Sequence, residues 1–158
     1  MSLKISFFAS FSPWIIFLVL MITAIGGNLI PFGISLFAFV MLAWLFSVGL
    51  ALQEKLPARF DVSTRWFKIL LAYVFFYVML TNLFVNIELF YVIPFHLLAV
   101  YGMFYALYFV SRSLVTAEEK QSLRFDRYIG TLFLFWFFPI GIWFVQPRVR
   151  RILKNIKK

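Results

Sequence analysis

Four long apolar stretches, separated by short polar segments, dominate the pattern of this chain. A transmembrane helix needs about 20 predominantly apolar residues. That requirement is met, with approximate bounds, by residues 5–25, 29–52, 66–84 and 90–111. Gly26-Gly27-Asn28 has the composition of a tight turn between the first two stretches, and Pro31 suits the first turn of the second helix. The pattern therefore predicts four transmembrane helices arranged as two hairpins.

A fifth apolar segment, residues 128–145, is interrupted by Pro139 and Gly141 and leads into a basic tail, residues 147–158. Its length decides little, because a straight helix of 18 residues reaches about 27 Å and the hydrocarbon core is about 30 Å thick. Proline removes a helix donor, and glycine loosens the following turn. We interpret the segment as a re-entrant helix–break–helix. A proline-kinked fifth span with an external C-terminus is the alternative.

The positive charges favour the re-entrant interpretation. Of the fifteen Lys and Arg residues, one lies in the N-terminal segment, four in each of the two polar linkers and six in the tail. The turns at residues 26–31 and 85–89 carry none. Basic residues near membrane spans concentrate on the cytoplasmic side. All fifteen share that side only if the last segment returns. The N-terminus, both linkers and the C-terminus are therefore predicted to be cytoplasmic.

Composition excludes several classes of protein. The chain is 64% hydrophobic and 13% charged, with a mean hydropathy of +0.96, whereas a soluble domain is about half apolar and a quarter charged. The net charge of +9 lies in short segments between apolar runs, which is typical of a membrane protein rather than a nucleic-acid-binding one. Without cysteine, disulfides and thiolate chemistry are excluded. We predict a single all-α integral membrane domain over residues 1–158.

One cluster of polar residues, near the turn of the second predicted hairpin, is a candidate functional site. His96, the single histidine, lies early in the fourth span, and Asn82, Asn86 and Glu88 are near it in sequence. Ionisable residues inside membranes are often functional. The group could form an outward-facing pocket with His96 as proton carrier or ligand. Alternatively it hydrogen-bonds the hairpin ends near the headgroups. It offers too few ligands for zinc and no nucleophile–base–acid set, so we predict no catalytic residue, metal or cofactor.

Small residues recur every four positions on two of the predicted spans. They are Ala43, Ser47 and Ala51 on the second span, and Gly102 and Ala106 on the fourth. Such spacing lets membrane helices approach closely. It is compatible both with packing inside the chain and with a partner helix.

The basic tail has helical amphipathicity. Val149, Ile152, Leu153 and Ile156 fall on one face. The opposite side is formed by Arg148, Arg150, Arg151, Lys154, Lys157 and Lys158. This arrangement predicts a helix whose cations contact anionic lipid. A solvated terminus is the alternative, since so short a helix is marginal alone.

The second polar linker contains two capping signals. Thr116 and Glu119 have capping-box spacing, which predicts a short cytoplasmic helix from Ala117 to Phe125. Asp126 is then predicted to cap the last apolar segment.

Two stretches resemble a group of small bacterial multi-span membrane proteins that have no established activity. They are "FFPIGIWFVQPR", from Phe137 to Arg148, and "FHLLAVYGMFYALYFVSRSL", from Phe95 to Leu114. The resemblance implies a location in the bacterial inner membrane and provides no catalytic residues. It also implies that the working part is the segment containing Pro139, Gly141, Trp143, Gln146 and Pro147.

Three functions are compatible with this sequence. The first is a non-enzymatic accessory or scaffold subunit of a larger inner-membrane complex, favoured by the tiny loops and the small-residue stripes. The second is an oligomeric channel or transporter whose path is lined by the Pro139–Gly141 break and the His96 region. The third is a lipid-modifying enzyme that uses His96 and Glu88. The expected partners are the lipid bilayer and either a larger membrane-protein complex or further copies of the chain, without nucleic acid.

Overall fold

The computed structural model describes residues 7–26, 33–56, 63–83, 89–121 and 124–154, and the regular structure in these ranges is entirely α-helical. The helices are α1 (Phe7–Ser10), α2 (Pro13–Gly26), α3 (Gly33–Gln53), α4 (Thr64–Leu83), α5 (Leu89–Glu119), α6 (Phe125–Trp136) and α7 (Phe138–Lys154). Within these ranges, α3, α4 and α5 are long and apolar enough to cross a membrane. The prediction of an all-α chain with membrane-length apolar helices is thus confirmed for the described residues.

The first apolar stretch is divided into two helices rather than forming one. Pro13 has no N–H, so the Ala9 carbonyl four residues earlier lacks its helical partner. The Ser12 carbonyl instead starts α2, accepting from the N–H groups of Ile15 and Ile16 at 3.1 and 3.3 Å. The resulting α2 has 14 residues and is about 21 Å long, which is short for a bilayer core of about 30 Å.

Helix α3 is the centre of the bundle. It packs against α1, α2, α4, α5 and α7. The core around it contains fully buried aromatic rings, including Trp44 and the stacked pair Phe67 and Phe109, whose centroids are 4.3 Å apart. Gly49 on α3 permits this packing, because a Cβ there would lie 2.7 Å from the Phe67 ring. Packing around α3 therefore fixes the positions of the neighbouring helices relative to one another.

Helix α5 is longer than the sequence predicts. It runs without interruption through 31 residues, about 46 Å, and ends where Lys120 adopts a left-handed φ of 54°. The Lys120 N–H closes the helix by donating to the Thr116 carbonyl at 2.8 Å. The separate helix predicted over Ala117–Phe125 is therefore wrong. Residue 117 simply continues α5, since no proline or left-handed residue lies between Pro94 and Lys120.

The predicted cap of the last apolar segment is also wrong. Arg124 occupies the cap position of α6 and makes no side-chain cap hydrogen bond. Asp126 lies inside the first turn of α6. A carboxylate in the first turn is attracted to the positive end of the helix dipole. Asp126 therefore suits the start of α6 although it does not cap the helix.

Helices α6 and α7 form a hairpin that turns at Phe137. The Phe137 N–H donates to the Phe133 carbonyl at 2.8 Å, and its own carbonyl accepts from the N–H groups of Ile140 and Gly141 at 3.1 and 2.8 Å. Arg148, eleven residues after the turn, hydrogen-bonds to Thr131, six residues before it. Helix α7 therefore folds back along α6.

The break in this segment lies before Pro139 rather than at it. Pro139 falls in the first turn of α7, where a missing N–H leaves no hydrogen bond unmade. Gly141 packs directly against the α6 backbone, since a Cβ there would be 1.6 Å from the Leu134 carbonyl oxygen. Pro147 lies inside α7 and does not end it. The predicted tail is therefore continuous with this helix as far as Lys154.

Candidate functional site

A buried polar contact, here called the Gln146 junction, joins three parts of the chain. The Gln146 side chain is fully buried. Its Oε1 accepts from Trp44 Nε1 on α3 at 3.1 Å. Its Nε2 donates to the carbonyls of Ala9 and Phe11, each at 2.9 Å. The Ala9 N–H in turn donates to Ser47 Oγ at 3.2 Å.

The break between α1 and α2 explains why this amide is needed. Pro13 leaves the Ala9 carbonyl without its helical donor. The Ile15 N–H, which would reach Phe11 in a continuous helix, donates to Ser12 instead. Two backbone carbonyls inside an apolar bundle are costly unless they are hydrogen-bonded. The side chain of Gln146 supplies both donors, so α7 completes the hydrogen bonding of the N-terminal segment.

A second buried amide links α3 to α5. Gln53 Nε2 donates to Ser113 Oγ at 2.7 Å, and Ser113 Oγ donates to the Phe109 carbonyl at 2.7 Å. Both side chains are buried. This contact also serves to hold helices together rather than presenting a reactive group.

Arg148, predicted as a lipid contact, is bound within the protein. Its Nε donates to Glu118 Oε1 at 2.8 Å, its Nη2 pairs with Glu118 Oε2, and its Nη1 donates to Thr131 Oγ1 at 3.2 Å. Two parallel bonds from a guanidinium to a carboxylate fix orientation as well as distance. The basic end of α7 is therefore held beside the polar end of α5.

The apolar side of the tail is covered by the protein itself. Val149 is fully buried, and Ile152 and Leu153 pack against the core. Arg151 and Lys154 are exposed, and Arg150 is half-buried. Lys157 and Lys158 lie outside the described residues. Three of the four apolar residues of the tail are thus packed against the protein and Ile156 lies outside the described residues, while the exposed cations remain as predicted lipid contacts.

The His96 region contains a partner that the sequence did not indicate. His96 is exposed on α5, and its Nδ1 lies 2.9 Å from the Tyr77 hydroxyl on α4. Tyr73, one turn earlier, donates to the Phe95 carbonyl at 3.0 Å. The sequence analysis did not include Tyr77, although Tyr77 and His96 lie almost equally far in sequence from the turn predicted at residues 85–89.

The other three members of the predicted polar cluster fall beyond what the structure describes. Asn86 and Glu88 lie outside the described residues. Asn82 belongs to the last turn of α4, and the position of its side chain is likewise outside the described part. The four-residue cluster therefore stays a prediction, with the Tyr77–His96 contact added to it.

The small residues of the two predicted stripes lie mainly inside the chain. Ser47 and Ala51 on α3 and Gly102 and Ala106 on α5 are buried, whereas Ala43 is half-buried. A Cβ at Gly102 would lie 3.0 Å from Val74 Cγ2 on α4. These positions bring the helices of this chain close together.

The residues of the predicted re-entrant motif all lie on α7 but face different neighbours. Trp143 packs edge-on against Trp14 of α2, with ring centroids 4.3 Å apart. The ring of Phe17, also on α2, is centred 5.6 Å from the Trp143 ring. Pro139 is half-buried and Pro147 is exposed. Within this motif, Gly141, Trp143 and Gln146 make contacts with other helices, and each contact is structural.

No group of three or more His, Cys, Asp or Glu side chains that could hold a metal ion occurs in the described part of the chain. In comparisons with protein-family models, curated proteins and solved structures, no match to this chain was found.

Proposed function

We propose that this protein is a non-enzymatic accessory or scaffold subunit of a larger complex in a bacterial inner membrane. The observation that carries the proposal is that the buried glutamine side chains are hydrogen-bonded to other parts of the same chain. Gln146 binds the α1–α2 break and Trp44, and Gln53 binds Ser113. Reactive sites keep polar groups available to a ligand, whereas these groups are bonded to the chain's own helices.

In the proposed topology, α1 with α2, and then α3, α4 and α5, form four spans. The α6–α7 hairpin enters from the cytoplasmic side and returns. Two observations support the return: all fifteen basic residues then share one side, and Arg148 lies against Glu118 at the polar end of α5. Broken backbone within a membrane must be shielded by protein. The Gln146 junction provides such shielding for the α1–α2 break.

Reporter fusions test this topology. Green fluorescent protein fused after Lys158 is expected to fluoresce, and alkaline phosphatase at the same point is expected to be inactive, since each reports its own side of the inner membrane. The matched control is fusion after Asn86, in the predicted outer turn, where the two reporters are expected to give the opposite result. An active phosphatase after Lys158 would mean that α6 and α7 together cross the bilayer.

The surface proposed for the partner is the outer face of α4. Only 17% of the α4 span is buried in the chain, compared with 28% for α5 and 56% for α3. Ile69 and Phe76 project from this face, with exposed fractions of 46% and 62%. Of the three membrane-length helices, α4 therefore leaves the largest share of its span open to a neighbouring helix.

Affinity isolation tests the accessory role. A tagged copy taken from its native membrane in mild detergent is expected to carry a larger membrane protein with it. The double variant Ile69→Ala/Phe76→Ala is expected to reduce recovery of the partner about tenfold, because truncating central apolar contacts costs more than about 1 kcal/mol each. Leu18→Ala/Ile22→Ala, on the exposed face of α2, serves as the matched control and is expected to leave recovery unchanged. A clean monomer by native mass spectrometry would contradict the role.

The channel hypothesis requires a path lined by the Pro139–Gly141 break and the His96 region. The positions of both segments support the accessory role instead. Gly141 is packed against the α6 backbone, and its neighbours Ile142 and Val145 are fully buried. His96 is exposed on α5, beside Tyr77 of α4. Membership of the small bacterial membrane-protein group is part of this proposal, and the motif from Pro139 to Pro147 would then serve as its packing element.

A further inference from the structure

A row of tyrosines runs along α5 towards its polar end. Tyr101, Tyr105 and Tyr108 follow one another at helical spacing, with ring centroids 6.4 and 6.2 Å apart. Tyr108 then meets Tyr128 of α6 edge-on, at 5.6 Å. The row therefore crosses from α5 to α6 at the end nearest the second polar linker.

Arg112 lies at the end of this row. It is half-buried, and its Nη1 donates to the Tyr108 hydroxyl at 3.3 Å. Because the Tyr108 ring meets the Tyr128 ring edge-on, this bond places Arg112 at the seam between α5 and α6. The guanidinium is thus hydrogen-bonded to a neutral hydroxyl at the end of the tyrosine row.

No carboxylate compensates this charge within the described ranges. The ion pair found there joins Arg148 to Glu118, and Arg112 pairs with neither Glu118 nor Glu119. A partly desolvated guanidinium is stabilised by an anion, and its planar fork binds the two oxygens of a phosphate. Most of the five N–H donors of Arg112 remain for such a ligand after the bond to Tyr108.

The position of Arg112 along α5 indicates where the anion comes from. It is 23 residues after Leu89, or about 34 Å along a straight helix, which is close to one hydrocarbon thickness of about 30 Å. Arg112 therefore lies at headgroup depth on the side of the second polar linker. The exposed ring of Tyr101 and the half-buried ring of Tyr105 lie on the same face of α5, about 16 and 10 Å before Arg112 along the helix axis.

We infer that Arg112, Tyr108 and Tyr128 form a binding site for the phosphate group of an anionic phospholipid in the cytoplasmic leaflet. Arg112 binds the phosphate oxygens, and the tyrosine hydroxyls orient the guanidinium and add neutral donors. The site belongs to the α5–α6 seam and is separate from the exposed cations of α7. The site does not depend on the accessory role, but its assignment to the cytoplasmic leaflet rests on the proposed topology, which the reporter fusions test separately.

Native mass spectrometry of the full chain in mild detergent tests the site with three probes: phosphatidylglycerol, phosphatidylcholine and inorganic phosphate. Phosphatidylglycerol is expected to bind about tenfold tighter than phosphatidylcholine. Arg112→Gln is expected to weaken phosphatidylglycerol binding about tenfold, through the lost charge-assisted pair. Tyr108→Phe, which keeps the ring and the charge, is expected to weaken it about threefold. Arg151→Gln removes an exposed cation from α7 and is expected to change it less than about twofold.

Three results would overturn the inference. Equal losses for Arg112→Gln and Arg151→Gln, with Tyr108→Phe unchanged, would mean diffuse attraction of lipid to surface charge. Inorganic phosphate binding as tightly as phosphatidylglycerol would assign the site to free phosphate. Equal binding of the two lipids would show no preference for an anion. Should Arg112→Gln fail to fold, Arg112→Lys keeps the charge without the fork, and a loss of about fivefold is expected from it.

Discussion

Replacing Gly141 with alanine is expected to lower the stability of the protein by about 3 kcal/mol, the upper range for overpacking a tight contact. The added Cβ would lie 1.6 Å from the carbonyl oxygen of Leu134 and 2.4 Å from its carbonyl carbon. Both atoms belong to the backbone of α6, so no side-chain rotation can relieve the clash. The two helices must separate, which also draws Gln146 away from the N-terminal carbonyls.

The measurement is unfolding of the purified protein in mixed micelles, followed by circular dichroism as denaturing detergent is added. The control is Gly130→Ala in α6, because nothing lies within 4 Å of a Cβ at that position. Alanine there is expected to stabilise the helix by about 0.5–1 kcal/mol. If both variants unfolded at the same detergent fraction, the close approach of α6 and α7 at Gly141 would be wrong.

Gln146→Leu is expected to destabilise the protein by about 4 kcal/mol, because each buried polar group that loses its partner costs about 1–3 kcal/mol. The leucine has a similar volume, so little cavity is created. Trp44 Nε1 loses its acceptor, and the carbonyls of Ala9 and Phe11 lose the Gln146 donor. Faster backbone hydrogen exchange is expected around residues 9–12, where the break in the first apolar stretch is no longer held.

The same unfolding assay checks this result, with Gln121→Leu as the matched control. Gln121 is exposed, so its replacement is expected to change stability by less than about 0.5 kcal/mol. A double-mutant cycle with Trp44→Phe isolates the indole contact. When Trp44→Phe is already present, Gln146→Leu is expected to cost about 1 kcal/mol less, since the orphaned N–H is gone. Strict additivity of the two substitutions would contradict a direct bond between these side chains.

The three long helices were largely predictable from the pattern of apolar residues. The stretch predicted over residues 66–84 is α4, Thr64–Leu83, and the stretch predicted over 90–111 begins one residue after the start of α5 at Leu89. Continuous runs of about 20 apolar residues are a local property, so no knowledge of packing is required. The end of α5 was missed because Thr116 and Glu119 match a capping box although Thr116 is buried within the continuing helix.

The breaks were harder to place, because proline marks the first turn after a break as readily as the break itself. Pro13 lies within the stretch predicted as one span, yet it begins α2. Pro139 was predicted as the point of interruption, whereas the chain turns at Phe137 and the proline belongs to α7. In both cases a proline correctly signalled that a break in the helix was near. Where the break lay relative to the proline depended on which backbone carbonyls found hydrogen-bond donors elsewhere in the chain.

The polar contacts were not predictable in the same way. Gln146 was part of the motif carried by the family resemblance, but its bonds to Ala9 and Phe11 join residues 137 and 135 positions apart. Arg148 was predicted to face lipid, because a helical wheel separates cations from apolar residues without showing that Glu118 lies within reach. Tyr77 was overlooked beside His96 for the same reason: the two lie on different helices.

Two properties of this protein follow from its amino acids alone. The high apolar content produces the membrane-length helices α3, α4 and α5, and the grouping of cations predicts which ends share a side. Folding in three dimensions was needed to assign each buried donor to its acceptor, to turn α7 back along α6, and to bring Arg112 among tyrosines. The physical reason is range: apolar burial sums over neighbouring residues, whereas a hydrogen bond depends on two atoms approaching within about 3 Å from distant parts of the chain.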